Sequence, residues 1–350
     1  MANSTNINNP ETTTNAQIQG AGLVLPLSVN EREPNKISTL FTPNSSVLYS
    51  KYSPYPEGQS GGFFGANQPY IVTNINVQPD FYVQVTVPNE FQTLGKINIG
   101  VTAGIETTVA PKNWIDGCNK MDMVITTSEF SKDVLLSTVY NENDNVTGKL
   151  IKQYRIEKPL LVLFEGVDTS IYNNEYTGID LDIKEDFAYL FVGHWLKGDT
   201  GQDRKDVGML IRCFTEAFKD QEDQPALVLK TSAASFSIKQ REEFRKKIEG
   251  LVGQIDNPPS IYLLFGDLSN KEMNELYNHP KIKSMISITK GEGFGRPLLE
   301  FTMSGKPVIA SNWSGHKDFL PSDKSIMVGG KLTDVDESAI DQFIIKGSKW

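Results

Sequence analysis

The stretch Met285-Ile286-Ser287-Ile288-Thr289-Lys290-Gly291-Glu292-Gly293-Phe294-Gly295-Arg296-Pro297-Leu298-Leu299-Glu300 constrains this chain more than any other. Its first residues read as a buried strand, a glycine-rich turn follows, and a helix is expected from Arg296 and Pro297. Gly293 and Gly295 let the backbone approach a ligand closely and adopt positive φ, both costly for a residue with a Cβ. Pro297 stands near the first helical position, where its missing N–H is harmless. The free amides of that first turn face the loop, and the helix dipole adds partial positive charge, so the turn suits an anion. Glu292 precedes the turn and Glu300 lies inside the helix, with seven residues between them. A phosphate at the helix start, flanked by two carboxylates that can hold hydroxyls, points to a sugar nucleotide.

Composition narrows the setting. A chain of 350 residues is long enough for two domains and a substantial core. Its formal charge of −9 argues against a general nucleic-acid binder, yet leaves room for a local basic cleft that takes one diphosphate. Cys118 and Cys213 have no metal or redox spacing, so both are expected as buried small hydrophobes in a reducing compartment. His194, His279 and His316 are too scattered for a metal site. No apolar run approaches the roughly 20 residues that span a bilayer, and no signal-peptide pattern is present. A cytoplasmic protein without a transmembrane segment is expected.

The run GEGFGRPLLEFTMSGKPVIAS (residues 291–311) resembles the E-x7-E signature of the GT4-type retaining glycosyltransferases, glycosyl transferases group 1. The Ser314-Gly315 loop that follows fits as well. The resemblance implies an α/β chain of the GT-B fold, two Rossmann-like domains facing across a cleft. The N-terminal domain would take the acceptor and the C-terminal domain the donor. It implies a hexosyltransferase-type enzyme that moves sugar from a UDP- or GDP-sugar, with retention and without metal or other cofactor. Glu300 would hold the ribose hydroxyls, and Glu292 with Gly293, Phe294 and Gly295 the donor sugar.

Along the chain, residues 1–35 begin with a stretch to about Gly20 that is rich in Asn, Thr and Ser, with almost no aliphatic content and too little apolar surface to offset ordering entropy. They are expected as a flexible tail, or as an arm packed on a partner subunit. Residues 36–168 form the expected first domain, 169–185 the linker and 186–350 the second domain. Ser46–Ser50 is strand-like. Gly61-Gly62 is either the glycine loop that faces the cleft in relatives or an ordinary turn. Phe81–Val87 alternates with a period of two, Lys96–Thr102 is a further strand, and Glu106 lies in the loop after it. For Glu106 two readings stand: a cleft carboxylate near the sugar, or a helix-start carboxylate facing the dipole. A helix is expected over Trp114–Met121, a strand over Met123–Ser128, and a helix from Glu129 capped by Ser128. Leu160–Phe164 and the turn Glu165-Gly166-Val167-Asp168 resemble the close of the first domain in relatives.

The second domain opens with Ala188–Gly193, a continuous apolar strand of the kind buried on both faces. Its helix Val207–Lys219 carries Val207, Leu210, Ile211, Phe214 and Phe218 on one stripe, which is core. Relatives place an Arg just after the glycine of that strand; here His194 stands there, beside Gly193. Arg204-Lys205 matches the second basic element, and an Arg fork with a Lys point charge suits a diphosphate. Lys230 ends an apolar run and either contacts phosphate or pairs with an acid. Gly266, Asp267 and Leu268 are base-contact or capping candidates after the strand Ile261–Phe265. Gln240–Leu251 reads as an exposed charged helix. Lys306–Ser311 reads as a strand, and the chain closes in an expected helix, Ser338–Trp350, shorter than in relatives.

The resulting expectation is that Arg204, Lys205, Lys230 and the amides after Glu292 neutralise the leaving diphosphate. Glu292 and Glu106 are the candidate catalytic residues. The acceptor, whether glycan, lipid, protein or modified base, is not specified by any motif, and an oligomer is compatible with the chain. A rival reading is a catalytically silent GT-B module that binds nucleotide sugar or serves a structural role. The absent Arg, the short C-terminus and the polar tail motivate it.

Overall fold

A computed structural model describes residues 40–41, 47–49, 71–72, 78–179, 181–233, 238–253 and 255–350. The expected tail and the Gly61-Gly62 loop lie outside the described residues. Two compact units are present, one comprising Met1–Ile105 with Val109–Gly166 and the other Glu106–Thr108 with Val167–Trp350.

The first unit is built on strands β1 (Leu40–Phe41), β2 (Val47–Tyr49), β3 (Ile71–Val72), β4 (Phe81–Val85), β5 (Ile97–Thr102) and β6 (Met123–Thr126). A hairpin follows, β7 (Tyr140–Asn143) and β8 (Leu150–Tyr154), and then β9 (Leu160–Val162). The sheet order is β3-β2-β1-β4-β5-β6-β9, parallel from β1 through β9 with an antiparallel edge. Helix α1 (Lys112–Lys120) buries Trp114, Ile115 and Cys118. Helix α2 (Glu129–Ser137) starts as expected: the Ser128 side chain accepts from the Ser131 N–H, a cap that contributes about 1 kcal/mol. The hairpin was not anticipated. Its turn is set locally, since Asp144 Oδ1 accepts from the N–H groups of Val146 and Thr147 and Gly148 takes φ +69°.

The second unit contains β10 (Ala188–His194), β11 (Ala226–Ser232), β12 (Ile261–Leu264), β13 (Ile282–Ser287), β14 (Val308–Ser311) and β15 (Ile326–Val328). All pairings are parallel, in the order β12-β11-β10-β13-β14-β15. Numbered from β10 this is 3-2-1-4-5-6, the doubly wound Rossmann order. Alternate residues of the central strands feed two cores. Leu190 and Val228 join one with Leu276, Tyr277, Leu298 and Phe301. Phe191, Leu227 and Leu229 join the other with Val207, Leu210, Ile211, Phe214 and Phe244. Helices α3 (Val207–Phe218) and α4 (Ile238–Val252) cover that second face, while α5 (Asn270–Asn278) and α6 (Arg296–Thr302) cover the first. Burying each large side chain contributes about 1.5–3 kcal/mol, which is why β10 and β11 read as unbroken apolar runs. Tyr172 and Ile183, from the segment 169–185, are buried in the first of these cores.

Two expectations are corrected. Ser338–Trp350 is not a helix: a short 3-10 turn, Glu337–Ala339, is followed by turns. Asp341 Oδ1 accepts from the Phe343 and Ile344 N–H groups, a local bond that competes with helix, and Gly347 takes φ +85°. Thr333 and Trp350 exchange backbone hydrogen bonds at 3.0 and 3.1 Å instead. Cys213 is exposed rather than buried, because it lies off the apolar stripe of α3, whereas Cys118 is buried. Among the described residues, no helix is long and apolar enough to cross a membrane.

Candidate active site

The chain order of the second sheet reverses between β10 and β13, and the C-terminal ends of the strands at such a reversal are the usual ligand position of open α/β sheets. The loop after β10 ends in Arg204-Lys205, and the loop after β13 carries Glu292. The two are tied together through the backbone, with the Lys290 N–H donating to the Arg204 carbonyl at 2.8 Å.

Four charged side chains converge here. Arg204 Nη1 donates to the Gly291 carbonyl at 2.8 Å and pairs with Glu292 Oε2 at 3.3 Å. Its Nη2 lies 3.5 Å from Glu106 Oε1. The Lys205 ammonium pairs with Glu292 Oε1. Burial alone would raise the Glu292 carboxyl, but Lys205 and then Arg204 outweigh it and hold the pKa at about 2. Glu292 is therefore ionised although only 6% exposed. Removing one side of a buried pair strands the other, at a cost of about 3–5 kcal/mol.

Backbone bonds fix the turn. Ser314 Oγ accepts from the Glu292 N–H at 2.9 Å, and the Glu292 carbonyl accepts from Gly315 N–H at 2.9 Å. At Gly291 a Cβ would sit 1.8 Å from the Glu106 carbonyl oxygen, so only glycine admits the segment that brings Glu106 in. Gly295 caps α6 at φ +98°, a left-handed conformation that glycine takes without strain. Phe294 is buried with its ring 4.9 Å from that of Phe319, so it anchors the turn.

Glu300, on α6, is in a different setting. Arg296 Nε donates to its Oε1 at 2.7 Å, and the Tyr277 hydroxyl donates to its Oε2 at 3.1 Å. Burial pushes its pKa up despite Arg296, with Tyr172 also against it. No sequence signal marks either tyrosine as a partner of Glu300; only the i, i+4 spacing of Arg296 and Glu300 is readable.

The remaining candidates lie around this centre. Gly193 stands next to the Lys205 stem, where a Cβ would come within 3.4 Å of its methylenes. His194 Nδ1 is 3.1 Å from Ser232 Oγ. Burial, then Lys205, Arg204 and Lys230, hold its imidazole below the usual value, which favours the neutral form. Lys230, on β11, donates to the Gly266 carbonyl at the end of the neighbouring strand's loop. Among the described residues no group of three or more His, Cys, Asp or Glu side chains is placed to hold a metal ion.

Residues 202–339 match the family described as Glycosyl transferases group 1. No curated protein matches the chain. Among solved structures, one described as trehalose-6-phosphate from E. coli bound with UDP-2-fluoro glucose is similar at 11% identity and a TM-score of 0.50, over 72% of this chain and 62% of that chain. Sucrose-phosphate synthase from Thermosynechococcus elongatus is similar at 17% identity and a TM-score of 0.49, over 71% of this chain and 60% of that one. A protein from Anabaena in complex with UDP and glucose is similar at 16% identity and a TM-score of 0.48, over 71% and 64%. This chain spans less than two thirds of the length of each. The E. coli likeness, with the strand order above, makes the fold the α/β GT-B fold of two Rossmann-like domains.

Proposed function

We propose that the chain is a glycosyltransferase that moves sugar from a nucleoside-diphosphate sugar to an acceptor. The observation that carries this reading is the convergence of Arg204 and Lys205 on Glu292, beside the start of α6, inside the segment matched by the glycosyl transferases group 1 family. A diphosphate entering there meets two cations that water does not screen well, since their side chains are only 19% and 10% exposed. As the glycosidic C–O bond breaks, those cations and the amides after Glu292 stabilise the charge that develops on the leaving diphosphate. This is the electrostatic work a divalent metal would otherwise supply, so activity is expected to survive chelation by EDTA. The Glu292 carboxylate, held ionised, is available to accept from donor sugar hydroxyls, with Glu300 on the ribose and Glu106 beside Arg204. The reading includes GT4-type chemistry with retention, a hexosyl donor and a cytoplasmic setting. UDP is favoured as the donor nucleotide, since the E. coli structure of like fold is described with a UDP sugar bound.

The test is hydrolysis and transfer from a panel of UDP- and GDP-sugars by the wild type and Glu292→Ala. Turnover of one donor, lost in the variant, is expected. A donor that raises the melting temperature but is never turned over would favour the second reading, a silent nucleotide-sugar-binding module. The feature that motivates that reading is local: Glu106 and Glu292 already balance Arg204 and Lys205 charge for charge.

A further inference from the structure

One side chain outside the charge cluster grips the loop that carries it. Lys290 Nζ donates to the carbonyls of Gly201 at 2.6 Å and Asp203 at 3.0 Å, and pairs with the Asp206 carboxylate at 3.0 Å. The two carbonyls take two of the three N–H groups of the ammonium, and the Asp206 carboxylate stands beside it as an ion pair. The Lys290 backbone N–H meanwhile holds the Arg204 carbonyl. A single residue thus contacts the loop before, at and after Arg204-Lys205. The loop needs that grip: Asp206, directly after Lys205, adopts φ 54°, ψ 36°, a left-handed conformation a non-glycine residue keeps only when its surroundings impose it.

Lys290 is in turn seated. The Trp350 ring lies over its ammonium, 5.4 Å from the centroid, and Trp350 is buried with Val335, Ala339, Ile344 and Trp313. The same C-terminal segment reaches the loop from its other end, where the Asp199 N–H donates to Ser338 Oγ at 3.1 Å and the Lys197 ammonium donates to the Ile340 carbonyl. It also holds the short segment Glu106–Thr108, because Thr108 and Lys349 are joined by bonds of 3.0 and 2.8 Å.

We infer that Lys290, covered by Trp350, is a positioning residue that sets where Arg204 and Lys205 present their charge to the donor diphosphate. Residues 333–350 act as the strap that keeps it there. This rests on the reading of the site as a diphosphate site, and it adds a residue that acts through the loop carrying Arg204 and Lys205. A misplacement of the two cations weakens the diphosphate contact while leaving the nucleoside contact alone.

The test compares the affinity of UDP and GDP with that of uridine and guanosine, by calorimetry on the full chain, alongside melting temperature. For Lys290→Met the nucleoside diphosphate is expected to bind about tenfold more weakly relative to its nucleoside. Lys290→Arg, which keeps charge and donors, is expected to recover part of the loss. Trp350→Ala is expected to shift the ratio in the same direction by less, and it carries the test if Lys290→Met does not fold. A lower melting temperature with an unchanged diphosphate-to-nucleoside ratio in both variants would overturn the inference. If Lys205→Met lowers that ratio while those variants do not, only the positioning role fails. If the wild type binds neither UDP nor GDP, the donor reading fails with it.

Discussion

Glu292 and Glu300 flank one helix start, share a residue type and are equally buried at 6% exposure, yet they sit in opposite electrostatic environments. Glu292 faces Lys205 and Arg204, two cations brought in by a distant loop, and its pKa is held at about 2. Glu300 faces one cation, Arg296, and two tyrosines, and burial wins, so its pKa is raised. Burial penalises the charge of each carboxylate; what differs is how many opposite charges answer it. A carboxylate between two cations belongs to a site where charge is exchanged with a ligand. One between phenols and a single arginine, in the core beneath α6, belongs as much to the packing as to any ligand.

That contrast can be broken by mutation. Glu292→Ala leaves Lys205 and Arg204 buried beside only Glu106, and should lower unfolding free energy by about 3–5 kcal/mol, measured by urea denaturation. Glu300→Gln keeps a hydrogen-bonding partner for Tyr277 and should cost about 1–2 kcal/mol. Equal costs for the two would dissolve the comparison.

The pH dependence sharpens it with a smaller effect of opposite sign. Because the Glu292 pKa is depressed from 4.5 to about 2, its stabilisation is complete above pH 4.5 and lost as pH falls toward 2. Glu292→Gln should flatten that acid limb of the stability curve. Because the Glu300 pKa is raised above 4.5, the folded state binds the extra proton, and stability falls as pH climbs through the interval above 4.5. Glu300→Gln should remove that fall. Urea unfolding at a series of pH values reads both limbs, and limbs of the same sign would contradict the assignment.

Much of the second unit was legible in the sequence because its signals are local. Continuous apolar runs marked β10 and β11, the stripe from Val207 to Phe218 marked α3, and the glycine turn marked the start of α6. In the first unit the Ser128 cap was equally readable. What spacing could not supply was long-range: that Arg204 and Lys205 meet Glu292, and that Tyr277 and Tyr172 meet Glu300. The hairpin β7–β8 was missed because its residues are mostly exposed, Leu150 and Ile151 included, and carry no apolar alternation. The C-terminal segment misled for a physical reason. Ile340, Phe343, Ile344 and Trp350 have helix-like spacing, but Asp341 and Gly347 divert the backbone into turns. Lys290 gave no sign of its importance, since its hydrogen bonds go to backbone carbonyls that carry no sequence identity, and Asp206 and Trp350 lie far from it along the chain.

The most direct measurement is a crystal structure with an unhydrolysed UDP- or GDP-sugar. The account predicts the diphosphate within hydrogen-bond distance of Lys205 Nζ and the Arg204 guanidinium, with the Glu292 carboxylate turned to the sugar hydroxyls and Lys290 still bonded to Gly201 and Asp203. A nucleotide sugar bound elsewhere, with Lys205 and Arg204 still paired to Glu292 alone, would contradict it.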